Sequence, residues 1–158
     1  MRLEIPFNQL DFFIMKFSEH IYDDILNKAI EDFEESHELM LCIKLIKYLF
    51  ESKAKTLNHI TYNSFKTALK LAYDEESDAK LVKVTAYLSS NRLPLLDMKF
   101  QYIDEYITEP IPLEDSVVHD ALNDNIFYHP DTGEYVKEFR QNIYPYFLRS
   151  GLLKKIHE

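Results

Sequence analysis

The spacing of apolar residues changes once along this 158-residue chain, and this change limits its possible folds more than any other feature. Before Pro94, apolar residues recur every three or four positions, which is typical of helices that bury one face. After Pro94, apolar and polar residues alternate, which is typical of a strand with one solvated face. The alternating apolar residues are Leu96, Met98, Phe100 and Tyr102. The sequence therefore predicts a mainly α protein with a small β part, an α+β fold.

Short polar residues mark the expected helix starts in the first part of the chain. Such side chains accept hydrogen bonds from the free backbone amides at a helix start. We predict a short helix after Asn8 and longer helices over 18–34, 37–53, 62–73 and 78–90. The expected capping residues are Asn8, Ser18, Ser36, Thr61 and Ser77.

After the first strand, the pattern predicts shorter elements. A short helix is expected over 116–122, and a turn over 129–133, where a proline fixes φ and a glycine permits positive φ. Residues 135–139 are expected to form a returning strand or the start of a helix, because the spacing fits both. A last short helix is predicted to begin at Pro145 and to end at Gly151.

The chain has no internal repeat, low-complexity tract or Gly/Ser linker, so we predict a single domain over 1–158. Within it, 1–36 would hold N-terminal helices, 37–93 a helical core, and 94–158 a strand and hairpin part with a short C-terminal helix. Three helices followed by strands and a hairpin resemble the order of elements in a winged helix over residues 37–140. A winged-helix-like arrangement is therefore one that the sequence allows.

Two scarce residue types exclude common site classes. The chain has two glycines, Gly133 and Gly151, and they stand apart, so it has neither a P-loop nor a dinucleotide-binding fingerprint. Its one cysteine, Cys42, cannot form an intrachain disulfide or a zinc site built on several cysteines. We therefore expect no cofactor and no bound metal. Frequent Ile, Lys and Asn suggest an AT-rich genome, such as that of a phage or a bacterial mobile element.

The start of the chain does not resemble a signal peptide, and its longest apolar stretch does not resemble a membrane-spanning segment. The N-terminal segment carries Glu4 and Asp11 and lacks the apolar run of a signal peptide. The apolar stretch 39–50 is short and is interrupted by Lys44 and Lys47. We therefore expect a cytoplasmic protein that does not act at a membrane.

Charge is distributed in blocks, although the whole chain has a formal net charge of −9. Residues 19–38 carry one lysine and eight acids, a net of −7, and residues 41–73 carry six lysines and one acid, a net of +5. Residues 97–134 carry one lysine and ten acids, a net of −9, and residues 135–158 carry five basic and two acidic residues, a net of +3. Such segregation indicates that one surface works through its charge.

The acidic block with interleaved aromatic residues favours a protein interface. Aromatic anchors within a polar rim are typical of contact surfaces, and acidic charge would speed association with a basic partner. We therefore predict a non-catalytic interaction protein: an accessory subunit, adaptor or inhibitor that docks on a protein partner with a basic surface. The expected contact residues are Asp97, Tyr102, Asp104, Glu105, Tyr106, Glu109, Glu114 and Asp115.

Two alternatives remain open. The lysines of residues 41–73 would contact phosphates if the chain were a winged-helix nucleic-acid-binding protein. Those lysines are Lys44, Lys47, Lys53, Lys55, Lys66 and Lys70. A small hydrolase or nuclease at His119 and His129 is the second alternative, because histidines with nearby carboxylates can perform acid–base chemistry. No catalytic motif with defined spacing accompanies them.

Overall fold

A computed structural model describes the backbone of residues 7–158 and the side chains of residues 20–158. In this part of the chain the α+β fold is confirmed. The helices are α1 (Phe7–Phe33), α2 (Leu39–Glu51), α3 (Tyr62–Leu69), α4 (Glu75–Leu88), α5 (Asp115–Asp124) and α6 (Gly151–His157). The strands are β1 (Leu96–Tyr102), β2 (Ile111–Leu113) and β3 (Ile143–Arg149), and short 3-10 turns cover Ala54–Leu57 and Phe139–Asn142. Among the described helices, none has the length and apolar character needed to span a bilayer.

The three strands form one antiparallel sheet in the order β2-β1-β3. Along β1 and β3, Leu96 lies opposite Arg149 and Tyr102 lies opposite Ile143. Ile60, which precedes α3, adds a single bridge to the other edge of β3. Its amide donates to the Phe147 carbonyl at 3.0 Å and its carbonyl accepts from the Phe147 amide at 2.7 Å. The bridge ties the helical part of the chain to the sheet.

The elements follow one another in the chain order that the sequence predicts, helices before strands. Helix α2 leads through the Ile60 bridge to α3 and α4, and the chain then enters β1 and returns through β3 beside it. Helix α1 precedes this unit and packs on α2. The segment between β1 and β3, where a winged helix has its wing, is residues 103–142. This segment, called the wing insertion below, contains β2 and α5.

The main core lies between the helices and the sheet. Helix α2 is central to it, because Leu45, Ile46 and Leu49 on one face are fully buried. Phe147 of β3 meets the Phe65 ring of α3 with the ring centres 5.8 Å apart. Other buried members of this core include Ile25, Ala29, Cys42, Leu57, Leu81, Val84, Leu88, Leu93 and Leu95.

A second, smaller core belongs largely to the wing insertion. The Phe127 ring packs between Phe139 and Tyr102, with ring centres 5.6 Å and 5.4 Å away. Leu113, which ends β2, is also buried here. Val118 and Ala121 are the contribution of α5 to this core. The wing insertion is therefore a folded unit and not an extended loop.

Helix starts agree in part with the sequence. Thr61 caps α3 as predicted: its hydroxyl accepts from the Ser64 amide at 3.2 Å, and its own amide donates to the Ser64 hydroxyl at 3.1 Å. The predicted caps at Ser18, Ser36 and Ser77 are wrong. Glu38, not Ser36, precedes the first residue of α2, and no side chain caps this helix. Ser18 lies inside α1, which continues because no proline or glycine interrupts it. Asp74 caps α4 instead and accepts from the Ser77 amide at 2.7 Å.

The predicted last helix at Pro145 is also wrong. Residues 143–149 form β3 instead. Gly151 is the first residue of α6, whereas the sequence predicts that a helix ends there. The Ser150 hydroxyl caps α6 by accepting from the Leu153 amide at 3.2 Å. One edge of β3 pairs with β1, and over the described residues the Ile60 bridge is what pairs with the other edge. Proline has no amide hydrogen to donate, so a strand tolerates Pro145 on such an edge.

Candidate functional site

The wing insertion concentrates the acidic charge of the molecule. Two adjacent antiparallel strands need only a tight turn between them. Here a 40-residue segment joins β1 to β3 instead. This segment carries ten acidic and two basic residues, a net of −8. It therefore holds most of the formal charge of −9 in about a quarter of the chain.

Ion pairs elsewhere in the fold cancel part of the charge blocks. Arg92, after α4, binds the Asp32 carboxylate of α1 through two hydrogen bonds, Nε to Oδ2 at 2.7 Å and Nη2 to Oδ1 at 3.1 Å. Lys83 of α4 lies 3.5 Å from the Glu38 carboxylate. The N-terminal acidic block is thus partly neutralised by basic residues that are distant in sequence.

The wing insertion keeps more of its charge. Among the described side chains, two of its carboxylates lie within 4 Å of a basic group: Asp115 is 3.7 Å from Lys99 Nζ, and Asp104 is 3.5 Å from His129 Nε2. The other carboxylates of the insertion face solvent or its own polar groups. A surface of this kind produces a negative potential that attracts cationic groups.

Asp104 connects two loops of the wing insertion. Its Oδ1 accepts from the amides of Tyr106 and Ile107, at 2.9 Å and 3.0 Å, which forms an Asx-type turn. Its Oδ2 accepts from the Tyr102 hydroxyl at 2.8 Å. His129 Nδ1 accepts from the Asp131 amide at 3.1 Å, so in the neutral ring the proton is on Nε2, which faces Asp104. Asp104 and His129 therefore bring loops 104–107 and 129–134 into contact.

The hydrogen bonds set the protonation states of this network. Burial alone would raise the pKa of the Asp104 carboxyl, but the Tyr102 hydroxyl and the two loop amides outweigh burial and lower it below its usual value. Burial, together with the bond to Asp104, raises the pKa of Tyr102 to about 12. Asp104 is therefore charged and Tyr102 is neutral near neutral pH.

We expect Asp104 to make the stability of the wing insertion depend on pH. Because its pKa is lower in the folded state, the carboxylate stabilises the fold above its usual pKa of about 3.9, and this contribution is lost as the pH falls through the folded value. Asp104→Asn removes this contribution. Amide hydrogen exchange should show weaker protection of the insertion in the variant at about pH 7, with the difference shrinking toward about pH 3. Asp120→Asn, at an exposed carboxylate of α5, is the control; a pH-independent difference would contradict the prediction.

In the structure, some of the contact residues expected from the sequence are buried and the others are exposed. Tyr102 is 2% exposed and belongs to the second core, so it is not an exposed contact residue. It is one of the apolar residues that alternate with polar ones along β1, and such residues turn toward the core. Asp104 is largely buried beneath the loops that it connects. Glu114 and Asp115 begin α5, where negative charge stabilises a helix start. The exposed residues are Asp97, Glu105, Tyr106, Glu109, Glu114 and Asp115.

A groove on the wing insertion adds residues that the sequence prediction did not include. It has a volume of about 620 Å³ and lies between the loop after β1 and the turn after Tyr128. Tyr135 and Glu134 line it because Tyr135 pairs with Tyr128 in an isolated antiparallel bridge. The turn signal at residues 129–133 was visible in the sequence, but its position beside Tyr106 was not. This groove, the tyrosine groove below, is lined chiefly by Tyr102, Asp104, Glu105, Tyr106, His129, Glu134 and Tyr135.

The lysines predicted for nucleic-acid binding do not share one helix face. Lys66 is mostly buried and forms an ion pair with Asp78 of α4. Lys44 and Lys47 are exposed on α2, and the others lie in the turn after α2 and at the end of α3. The first turn of α4 carries acidic residues that would repel phosphates. They are Glu75, Glu76 and Asp78.

The two histidines proposed for catalysis have different partners. His119 Nδ1 is hydrogen-bonded to Asn123 Nδ2 at 3.0 Å on α5, whereas His129 belongs to the Asp104 network. Over the described residues, no three His, Cys, Asp or Glu side chains are grouped so that they could hold a metal ion. Burial raises the pKa of the Cys42 thiol to about 12, which keeps it protonated and unreactive.

Comparisons of the chain with protein-family models, curated proteins and solved structures find no match. The fold alone does not determine function, since one fold serves many activities. The charge and geometry of the wing insertion are the features that bear on function.

Proposed function

We propose that this protein is a non-catalytic interaction protein, an accessory subunit, adaptor or inhibitor, whose wing insertion docks on a protein partner with a basic surface. One observation carries the proposal: the insertion is an outgrowth of the β1–β3 hairpin that has its own core, a net charge of −8 and exposed tyrosines. A core of its own indicates that the insertion presents a defined surface.

The exposed aromatic residues favour a protein partner. Tyr106 is 85% exposed, and Tyr128 and Tyr135 are also exposed. Tyrosine is enriched at the centres of protein interfaces because it combines a large contact area with a polar tip. Three exposed tyrosines among carboxylates therefore combine contact surface with charge that guides association.

The Asp104 network favours binding over proton transfer. His129 Nδ1 accepts backbone amides and Nε2 faces the Asp104 carboxylate, so both ring nitrogens are directed at groups of the protein itself. These contacts hold the surface of the insertion in one arrangement before a partner binds. Preorganisation of this kind lowers the entropic cost of association.

Neutralising three exposed carboxylates of the insertion should weaken partner recovery about tenfold or more. The variant is Glu105→Gln, Glu109→Gln, Glu134→Gln, and its effect corresponds to the loss of three charge contacts of about 0.5 kcal/mol each. The tagged full-length chain is recovered from its native host at low salt, and the bound proteins are quantified by mass spectrometry. A partner with a basic surface should be lost, and raising the salt should have the same effect on the wild type.

The matched control removes three exposed carboxylates outside the insertion: Asp23→Asn, Glu35→Gln, Glu75→Gln. It should recover the same partner as the wild type. Equal recovery by the insertion variant and the wild type would overturn the proposal. Nuclease treatment before elution tests the alternative, since a partner that is then released was held through nucleic acid.

A further inference from the structure

The tyrosine groove combines aromatic rings and carboxylates in one concave surface. Its volume of about 620 Å³ is within the range of sites that hold small ligands or single anchoring side chains. Three rings and three carboxylates line it. They are Tyr102, Tyr106 and Tyr135, and Asp104, Glu105 and Glu134.

The charge of the groove favours a cation. Against the three carboxylates, Lys137 contributes one permanent positive charge to the lining, and His129 is directed at Asp104. The insertion around it is acidic as well. A cationic group entering the groove would gain charge complementarity from the lining and from the surface beyond it.

The exposed rings favour a cation with a flat face. The face of an aromatic ring attracts cations, and Tyr106 and Tyr135 expose 85% and 62% of their surface. Tyr135 is held in place by its bridge to Tyr128, whose ring centre lies 6.2 Å away in an edge-to-face arrangement. One wall of the groove is therefore positioned before any ligand binds.

We propose that the tyrosine groove binds a guanidinium group, an arginine side chain of the basic partner, between Tyr106 and Tyr135. This inference rests on the proposed function and names the chemistry of the contact. A guanidinium group stacks on aromatic rings and donates paired hydrogen bonds to carboxylates, whereas the ammonium of lysine is a compact, strongly hydrated point charge. Glu105 and Glu134 are the carboxylates that receive the paired bonds.

The first test uses a labelled peptide as the probe. A fluorescein-labelled glycine–serine peptide with three arginines is titrated into the full-length chain at low salt, and anisotropy reports binding. Matched peptides with three lysines or three citrullines are the comparison. The arginine peptide should bind several-fold more tightly than the lysine peptide, and the citrulline peptide should not bind measurably. Equal affinity for arginine and lysine, or for arginine and citrulline, would overturn the guanidinium assignment.

The second test removes the rings and keeps the charges. Tyr106→Leu, Tyr135→Leu should weaken arginine-peptide binding about tenfold, while Tyr106→Phe, Tyr135→Phe keeps the rings and should stay close to the wild type. Tyr73→Leu, at an exposed tyrosine outside the insertion, is the control. These side chains are exposed, so each variant should keep the fold of the wild type. NMR spectra of each variant verify this.

The same variants separate this inference from the proposed function. If the leucine variant recovers the native partner fully and the carboxylate variant does not, the groove assignment fails and charge-based docking stands. If the wild type binds the arginine peptide in the groove while the carboxylate variant still recovers its partner fully, the proposed docking role fails and the guanidinium site stands. If neither variant loses the partner or the peptide, both are wrong.

Discussion

Phe147→Ala should destabilise the whole protein by about 3–5 kcal/mol, the usual cost of emptying a fully buried aromatic site. Phe147 is 0% exposed and lies where three parts of the fold meet. Its backbone forms the bridge with Ile60, Met98 of β1 lies opposite it, and the rings of Phe65 and Tyr62 contact its own. The smaller side chain would leave a cavity that these rigid neighbours cannot fill.

Urea unfolding followed by far-UV circular dichroism measures this effect. Tyr144→Ala is the control on the same strand, because Tyr144 is exposed and its loss should cost less than about 1 kcal/mol. A loss of less than about 1.5 kcal/mol for Phe147→Ala would mean that β3 and the helices are less tightly coupled than their packing indicates.

Phe127→Ala should unfold the wing insertion while the helical unit stays folded. Phe127 is 3% exposed, and its ring joins Phe139 to Tyr102 in the second core. Removing a buried phenylalanine costs about 3–5 kcal/mol, which is a large share of what so small a core supplies. If the proposed docking function is correct, the variant should also lose the basic partner, although every carboxylate of the insertion is retained.

Amide hydrogen exchange measures the local effect, because regions open separately when their cores are separate. Amides of the wing insertion should lose protection, and those of α2 should keep it. Ile126→Ala changes the exposed neighbour of Phe127 and should leave both regions protected. Equal loss of protection in α2 and in the insertion would show that the two cores unfold as one cooperative unit.

Local patterns predicted the elements that depend on neighbours in sequence. The helical spacing before Pro94, the strand at 96–102 and the Thr61 cap are all present in the structure. Strand β3 was missed because its pairing with β1 joins residues that are more than 40 positions apart. Pro145 added a misleading signal, since proline is equally suited to a first helical turn and to a strand edge.

The same limit applies to the candidate site. Charge counting located the acidic segment, because the number of carboxylates in a stretch does not depend on the fold. It did not identify which acids are neutralised, since the pairing of Asp32 with Arg92 links residues 60 positions apart. Tyr135 was missed for a related reason: only the bridge to Tyr128 and the Asp104 network bring it to the groove with Tyr106.

The two ends of the wing insertion leave and re-enter the sheet side by side, because Tyr102 and Ile143 are directly opposite in register. Neighbouring strands are about 5 Å apart, so the host hairpin needs only a short turn to close. Because β2 also pairs with β1, the part of the segment after β2 is the part that can change in length without shifting the strands of the sheet. Substitutions or length changes after β2 therefore alter the exposed surface of the insertion while the helical unit keeps its packing.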